Sequence, residues 1–154
     1  MAWNFYNSSG VAKTGEHSGS GHRVLGLHQL TASQSTVSTH TTLQDEGLTR
    51  SIVYGPSRIL RVSLQTNALA DGGSQPIGFR LIRGSTTLID FRTSAVDTSS
   101  QEAYFWSYTF NGPSTAATET FKVQLAAQGA NTRVTSYATS SLPRVLLVED
   151  LGPQ

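Results

Sequence analysis

No cysteine occurs in the 154 residues, which excludes both a disulfide framework and a thiolate metal site. That absence suits assembly in a reducing cytosol. Charge is scarce as well. Only 14% of residues are Asp, Glu, Lys or Arg, and eleven basic against ten acidic residues leave a formal net charge of +1. A nucleic-acid binder needs a basic footprint, whereas the arginines here are spread singly from Arg23 to Arg144, with no run or stripe. The opening Met1-Ala2-Trp3-Asn4-Phe5-Tyr6 lacks the basic and apolar regions of a secretory leader. The longest apolar run, around Val145 to Val148, has the length of a strand and not of a membrane span. These absences argue against nucleic acid as a partner, membrane insertion and export by a standard signal. Helical periodicity is missing too, since the one Ala-rich stretch, Leu125-Ala126-Ala127, runs into Gly129.

What the chain has instead is Ser, Thr, Gly, Asn and Gln around short alternating segments. Such a surface is soluble but weakly self-repelling, as in a subunit packed among others. Phe121-Lys122-Val123-Gln124-Leu125 alternates apolar with polar residues, and Arg58 to Gln65 places Leu60, Val62 and Leu64 on one face. Ile77 to Arg83 and Thr86 to Thr93 flank Gly84-Ser85, which suits a II′ hairpin turn. Further strands are expected over Arg23 to Leu30, Ser35 to Thr42, Thr49 to Tyr54, Glu102 to Phe110, Thr132 to Ala138 and Arg144 to Glu149. Asp45-Glu46-Gly47, Asp71-Gly72-Gly73-Ser74, Asn111-Gly112-Pro113 and Gln128-Gly129-Ala130-Asn131 read as connections. Eight or nine short strands at this spacing predict an all-β, antiparallel β-sandwich of jelly-roll type.

The first 21 residues differ in character. Trp3-Asn4-Phe5-Tyr6 and Val11-Ala12-Lys13 flank the turn-like Asn7-Ser8-Ser9-Gly10, and Thr14 to Gly21 has linker composition. Residues 1–21 are therefore read as a short N-terminal arm and flexible tether, and 22–154 as the sandwich domain. Trp3, Phe5, Tyr6 and Val11 are the candidate docking residues of the arm.

No catalytic constellation emerges. Asp45, Glu46, Asp90, Asp97, Glu102 and Glu119 fall in turns or at outward positions of the alternation and are read as solvated acids. A glycosidase would need two of them facing each other across a sugar. Serines abound without a nucleophile elbow. His22 and His28 share strand parity, while His17 and His40 lie elsewhere, and none has zinc-site spacing. A single inward histidine repeated about a three-fold axis is the remaining metal arrangement, and polar or hydrogen-bonded histidine is the plainer reading. The expectation is of no enzyme activity, no metal and no cofactor. The sharpest local feature is the aromatic strand, whose alternation puts Tyr104, Trp106, Tyr108 and Phe110 on one face and Phe105, Ser107 and Thr109 on the other. That aromatic row is either a core layer or, if exposed, a candidate oligomer or ligand surface; the core reading is preferred.

The end of the chain, Ser141-Leu142-Pro143-Arg144-Val145-Leu146-Leu147-Val148-Glu149-Asp150-Leu151-Gly152-Pro153, resembles the closing segment of minor tail proteins of siphovirus-type bacteriophages infecting actinobacteria, which end in Val-Glu-Asp-Ile/Leu-Gly-Pro. Arg58-Ile59-Leu60-Arg61-Val62, the hairpin Gly78 to Leu88 and the strand-and-turn from Thr118 to Asn131 are also similar to that family, so the resemblance spans most of residues 22–154. It implies a jelly-roll-like virion component, assembled in the host cytoplasm and often trimeric. Its partners would be copies of itself, other phage virion proteins and, on a tail tip, a host cell-surface glycan. Capsid decoration and a receptor- or glycan-binding module are the alternatives. Physically, Val145 and Leu147 face one side of the last strand and Leu146 and Val148 the other. Glu149 and Asp150 are then expected to end strand pairing through their charge, and Gly152-Pro153 to block its extension.

Overall fold

The computed structural model describes residues 22–37, 43–71, 76–92, 102–127 and 133–154. The candidate arm, Trp3, Phe5, Tyr6 and Val11, lies outside these residues, as do His17, His40 and Asp97. Among these residues ten strands form: β1 (Arg23–Leu30), β2 (Gln34–Val37), β3 (Gln44–Tyr54), β4 (Arg58–Asp71), β5 (Ile77–Arg83), β6 (Thr86–Arg92), β7 (Glu102–Asn111), β8 (Ala117–Ala127), β9 (Arg133–Tyr137) and β10 (Arg144–Pro153). No helix occurs among the described residues.

Two antiparallel sheets result. The first is built around β4, the longest strand, which pairs with β7 over Ile59 to Ala68. Its opposite edge takes β10 as far as Gln65 and then β9 from Asn67 onward. Beyond them lie β1, paired with β10, and β2, paired with β9. The second sheet runs β3-β8-β5-β6. Taking β1 with β2 as one interrupted strand, and β9 with β10 as another, leaves eight strands, ordered 1-8-3-6 in the first sheet and 2-7-4-5 in the second. That is the order of a jelly roll, so the chain is an antiparallel β-sandwich of jelly-roll topology.

Alternation accounts for the core. Leu60, Val62 and Leu64 of β4 and Leu146 and Val148 of β10 meet Leu48, Ile52, Tyr54, Leu81, Phe121 and Val123 of the second sheet, all buried. A second cluster (Ala68, Ile77, Phe79, Leu125 and Val134) continues the same layer. Each large side chain buried this way contributes about 1.5–3 kcal/mol. At the β1 side the sheets approach closely. A Cβ at Gly26 would lie 2.8 Å from Ile52 Cγ2 and 2.9 Å from Arg50 Cγ, so only glycine fits where β1 crosses β3. At the β5–β6 turn Gly84 has φ +57° and Ser85 is not left-handed, which fits the II′ expectation.

Several boundaries differ from the sequence reading, and three of the differences have a clear local reason. Asp45-Glu46-Gly47 is not a connection but part of β3, where a register irregularity between Asp45 and Thr49, with Gly47 at φ +83°, absorbs the extra residues. β4 continues past Gln65 because β9 takes over the edge that β10 leaves. β10 runs through Glu149 and Asp150 as far as Pro153, which pairs with Arg58.

Candidate functional site

The closing strand is where sequence and structure diverge most. Glu149 and Asp150 were expected to terminate pairing. Instead both are buried, Asp150 against two arginines of neighbouring strands and Glu149 against one. Asp150 accepts from Arg58 Nε at 2.9 and 3.0 Å and from Arg23 Nε at 3.1 Å, and it also takes the Gly152 amide at 3.0 Å. Glu149 accepts from Arg61 Nε at 2.8 Å and lies 2.7 Å from His22 Nε2. The acids therefore tie β1, β10 and β4 together. Gln154 completes the tie, its amide donating to Ser57 O at 2.9 Å and its side chain to Gly112 O at 2.8 Å.

The Arg61 guanidinium, more than His22, holds the Glu149 carboxyl below the usual carboxylate range, against the opposing effect of burial. A depressed folded value means that this stabilisation is present above the unfolded value of roughly 4.3 and is lost as pH falls through the lower folded value. Acid titration of stability should therefore show a decline below about pH 4.3 that is shallower in Glu149→Gln. Equal slopes in the two proteins would remove Glu149 from the account.

A second polar cluster fills the point where both interrupted strands break. Glu46 on β3 is fully buried, not the solvated acid that its turn-like neighbours predict. Thr66 Oγ1 donates to its Oε1 at 2.7 Å, and Ser136 Oγ donates to the same oxygen. Arg144, 2% exposed at the start of β10, donates from Nη1 to Glu46 O at 2.7 Å, to Ser136 Oγ at 3.0 Å and to Glu46 Oε1 at 3.3 Å. Its Nη2 reaches Ala32 O, between β1 and β2, at 2.7 Å. Glu46 Oε2 and Arg144 Nε have no hydrogen-bond partner.

The remaining acids with described side chains are also engaged. Asp45 is held below its ordinary value, first by the hydrogen bond from Gln124 and then by Lys122. Asp90 pairs with Arg80, and Glu119 with Arg83 at 3.5 Å. Glu119 also accepts from the Tyr54 hydroxyl, which burial and this hydrogen bond push up, so it remains a donor. His22 and His28 are separated rather than aligned, because a bulge between Val24 and Gly26 breaks the parity of β1. His28 Nδ1 accepts the Thr49 amide at 3.0 Å instead. Among the described residues no group of three or more His, Cys, Asp or Glu is placed to hold a metal.

The aromatic strand β7 divides as its parity dictates. Tyr104, Trp106, Tyr108 and Phe110 pair with Thr66, Leu64, Val62 and Leu60 and share their inward face. Tyr104 and Trp106 pack on Phe79, with ring centroids 5.3 and 5.1 Å away. Phe110 lies 6.0 Å from Phe121 and under the Arg83 guanidinium at 4.7 Å. Tyr108, 36% exposed, is the most open of the row. Phe105, on the outer face, is more exposed than any of these, at 68%. It lines a shallow groove of about 370 Å³ together with Ser63, Gln65, Ser107, Val145 and Leu147. Leu27, 46% exposed, pairs with Leu147 and extends the apolar strip onto β1. No sequence signal marked Phe105, because its face of the strand otherwise carries Ser107 and Thr109.

No family model matches the chain, and no curated protein does. Among solved structures it is similar to the structure of infectious bursal disease virus Gt strain, with TM-score 0.49 and 12% identity over 83% of this chain and 38% of that one. It is also similar to the structure of the Gx strain, with TM-score 0.45 and 9% identity over 99% of this chain and 43% of that one. The chain thus spans about two fifths of the length of these structures. Both likenesses are distant, and the sandwich assignment stands on the sheet topology.

Proposed function

We propose that the chain is a structural component of a bacteriophage virion, a minor tail protein. Its sandwich body assembles as a homotrimer, and its N-terminal arm (Trp3, Phe5, Tyr6 and Val11) docks on another virion protein. The supporting observation is how the closing segment is used. Within the closing segment that resembles phage minor tail proteins, Leu146 and Val148 are core, Glu149 and Asp150 clamp β1 and β4, and Pro153 extends the pairing. The same holds for cations. Arg23, Arg58, Arg61, Arg80, Arg83, Lys122 and Arg144 each pair with a carboxylate, leaving little local field to draw in a charged substrate. The proposal assigns no catalytic step and no cofactor. Assembly in the host cytoplasm and residence in the virion follow from it.

The described strands draw all their pairings from residue 23 onward. A chain lacking residues 1–13 should therefore keep the thermal midpoint of the full chain within a few degrees, about the shift that 1 kcal/mol produces. Complementation of a phage lacking the gene should then yield particles without the protein. Normal incorporation of the shortened chain would overturn the docking role of the arm, and capsid-bound rather than tail-bound protein would move the assignment to decoration.

A further inference from the structure

Among the described strands, β1, β2, β3, β6 and β7 are paired with one neighbour only and form the edges of the two sheets. A strand edge offers N–H and C=O groups to any other extended chain, and folded proteins blunt it with charge, brevity, proline or a bulge. Four of these edges are blunted in that way. β1 has a bulge between Val24 and Gly26 and carries Arg23. β2 is four residues long. β3 is irregular between Asp45 and Thr49, and β6 carries Asp90 and Arg92. β7 has none of these devices. It is ten residues long and pairs with β4 from Glu102 to Asn111 without a shift of register. After Glu102 it contains neither a charged residue nor a proline, and its aromatic and hydroxyl residues favour extended structure. Ser107, Tyr108 and Thr109 are all exposed. Since Tyr108 faces inward and its neighbours outward, both faces of the strand are open to solvent at that point.

We infer that β7 is a self-pairing edge, at which two copies of the chain join antiparallel along Phe105 to Asn111 about a two-fold axis passing between their Tyr108 residues. A second copy fits because the strand complements itself. A two-fold axis normal to the sheet presents the same patch from both sides and keeps inward residues opposite inward ones. Tyr108 then meets Tyr108, and Trp106 meets Phe110. On the outer face Ser107 meets Thr109, and Phe105 meets Asn111. Aromatic pairs and hydroxyl pairs are favourable cross-strand neighbours. Glu102 lies beyond the paired stretch, so no like charges oppose each other. The formal net charge of +1 adds little repulsion between copies. The inference rests on neither the virion reading nor the three-fold arrangement. If all of them hold, the β7 contact joins a copy of the trimer to a copy outside it.

The chain has no cysteine, so single introduced cysteines report the contact directly. Opposed residues of an antiparallel pair lie about 4.5–5.5 Å apart between Cα atoms, within the roughly 4.4–6.8 Å that a disulfide spans. Full-length Ser107→Cys and full-length Thr109→Cys, mixed under mild oxidation, should couple to each other about tenfold faster than Val53→Cys couples to itself, because pairing raises the effective concentration of the two thiols. Val53, on β3, is 65% exposed and serves as the collision control. In sedimentation velocity the unsubstituted chain should double the mass of its unit as concentration rises. Ser107→Lys/Thr109→Lys, which sets lysines opposite one another, should not double, while its thermal midpoint stays at that of the parent. Mixed coupling no faster than the Val53→Cys control would overturn the inference, as would doubling that survives the lysines. Faster coupling of either cysteine variant with itself than with the other would overturn the axis at Tyr108. Mixed coupling that appears only after residues 1–13 are removed would give the edge to the chain's own arm and overturn the inference as well. Particle incorporation enters none of these readings, so the inference and the proposed function fail separately.

Discussion

Replacing Arg144 with methionine should lower the stability of the sandwich by about 3–5 kcal/mol, a large part of what a domain of this size possesses. The cost comes from what is left behind. Glu46 is fully buried, and its carboxylate would keep Thr66 and Ser136 as donors but lose its cationic partner Arg144. The carbonyl oxygens of Glu46 and Ala32 would lose their guanidinium donors at the same time. Burying a charge without a partner is far more costly than burying none. Glu46→Leu should therefore destabilise to a similar degree, by stranding the arginine. The double variant Glu46→Leu/Arg144→Met should be no worse than either single one, because both charges are gone. Urea unfolding with an unchanged m-value would measure this. Single-variant losses below about 1 kcal/mol, the range of exposed pairs, would contradict the claim that this cluster locks the break between the interrupted strands.

Asp150→Ala should cost about 3 kcal/mol, somewhat less than the loss of Arg144. Its carboxylate is fully buried and joins β1 to β4 through Arg23 and Arg58, with the Gly152 amide as a third ligand. The difference lies in the survivors. Arg23 and Arg58 are partly exposed and can turn toward water, whereas Arg144 and Glu46 cannot. Asp150→Asn should recover part of the loss, because the amide oxygen can still accept from one arginine and from Gly152. Backbone amide exchange along β10 offers a local readout, since protection from Leu147 to Gly152 should fall before the β5–β6 hairpin changes. Uniform loss of protection over both sheets would mean that Asp150 has no special place in the closing strand.

Much of this fold was legible because alternation carries it. Leu60, Val62 and Leu64 faced inward as their spacing required, and Gly84-Ser85 turned as its chemistry required. Tyr104 and Trp106 face inward and pack on Phe79, while Tyr108 of the same row is 36% exposed. What escaped was polar. Asp45-Glu46-Gly47 has the composition of a turn, so Glu46 looked solvated. Yet Glu46 and Leu48 continue the even-numbered inward series of Ile52 and Tyr54, and extending that series back along β3 would have marked it as buried. Glu149 and Asp150 misled for a related reason. Adjacent acids at the end of an apolar strand look like a stop unless their partners are known, and Arg23, Arg58 and Arg61 come from strands whose register the sequence does not state. The groove at Phe105 was illegible because its lining comes from β4, β7 and β10, which are far apart in the chain.

The central claim is that these devices serve assembly within a virion, and an electron-microscopy map of the complete phage particle tests it most directly. The account predicts three copies of the ten-strand sandwich around a three-fold axis on the tail, each contacting a neighbouring virion protein through residues 1–13. A particle map of comparable detail in which no density fits the sandwich would contradict it.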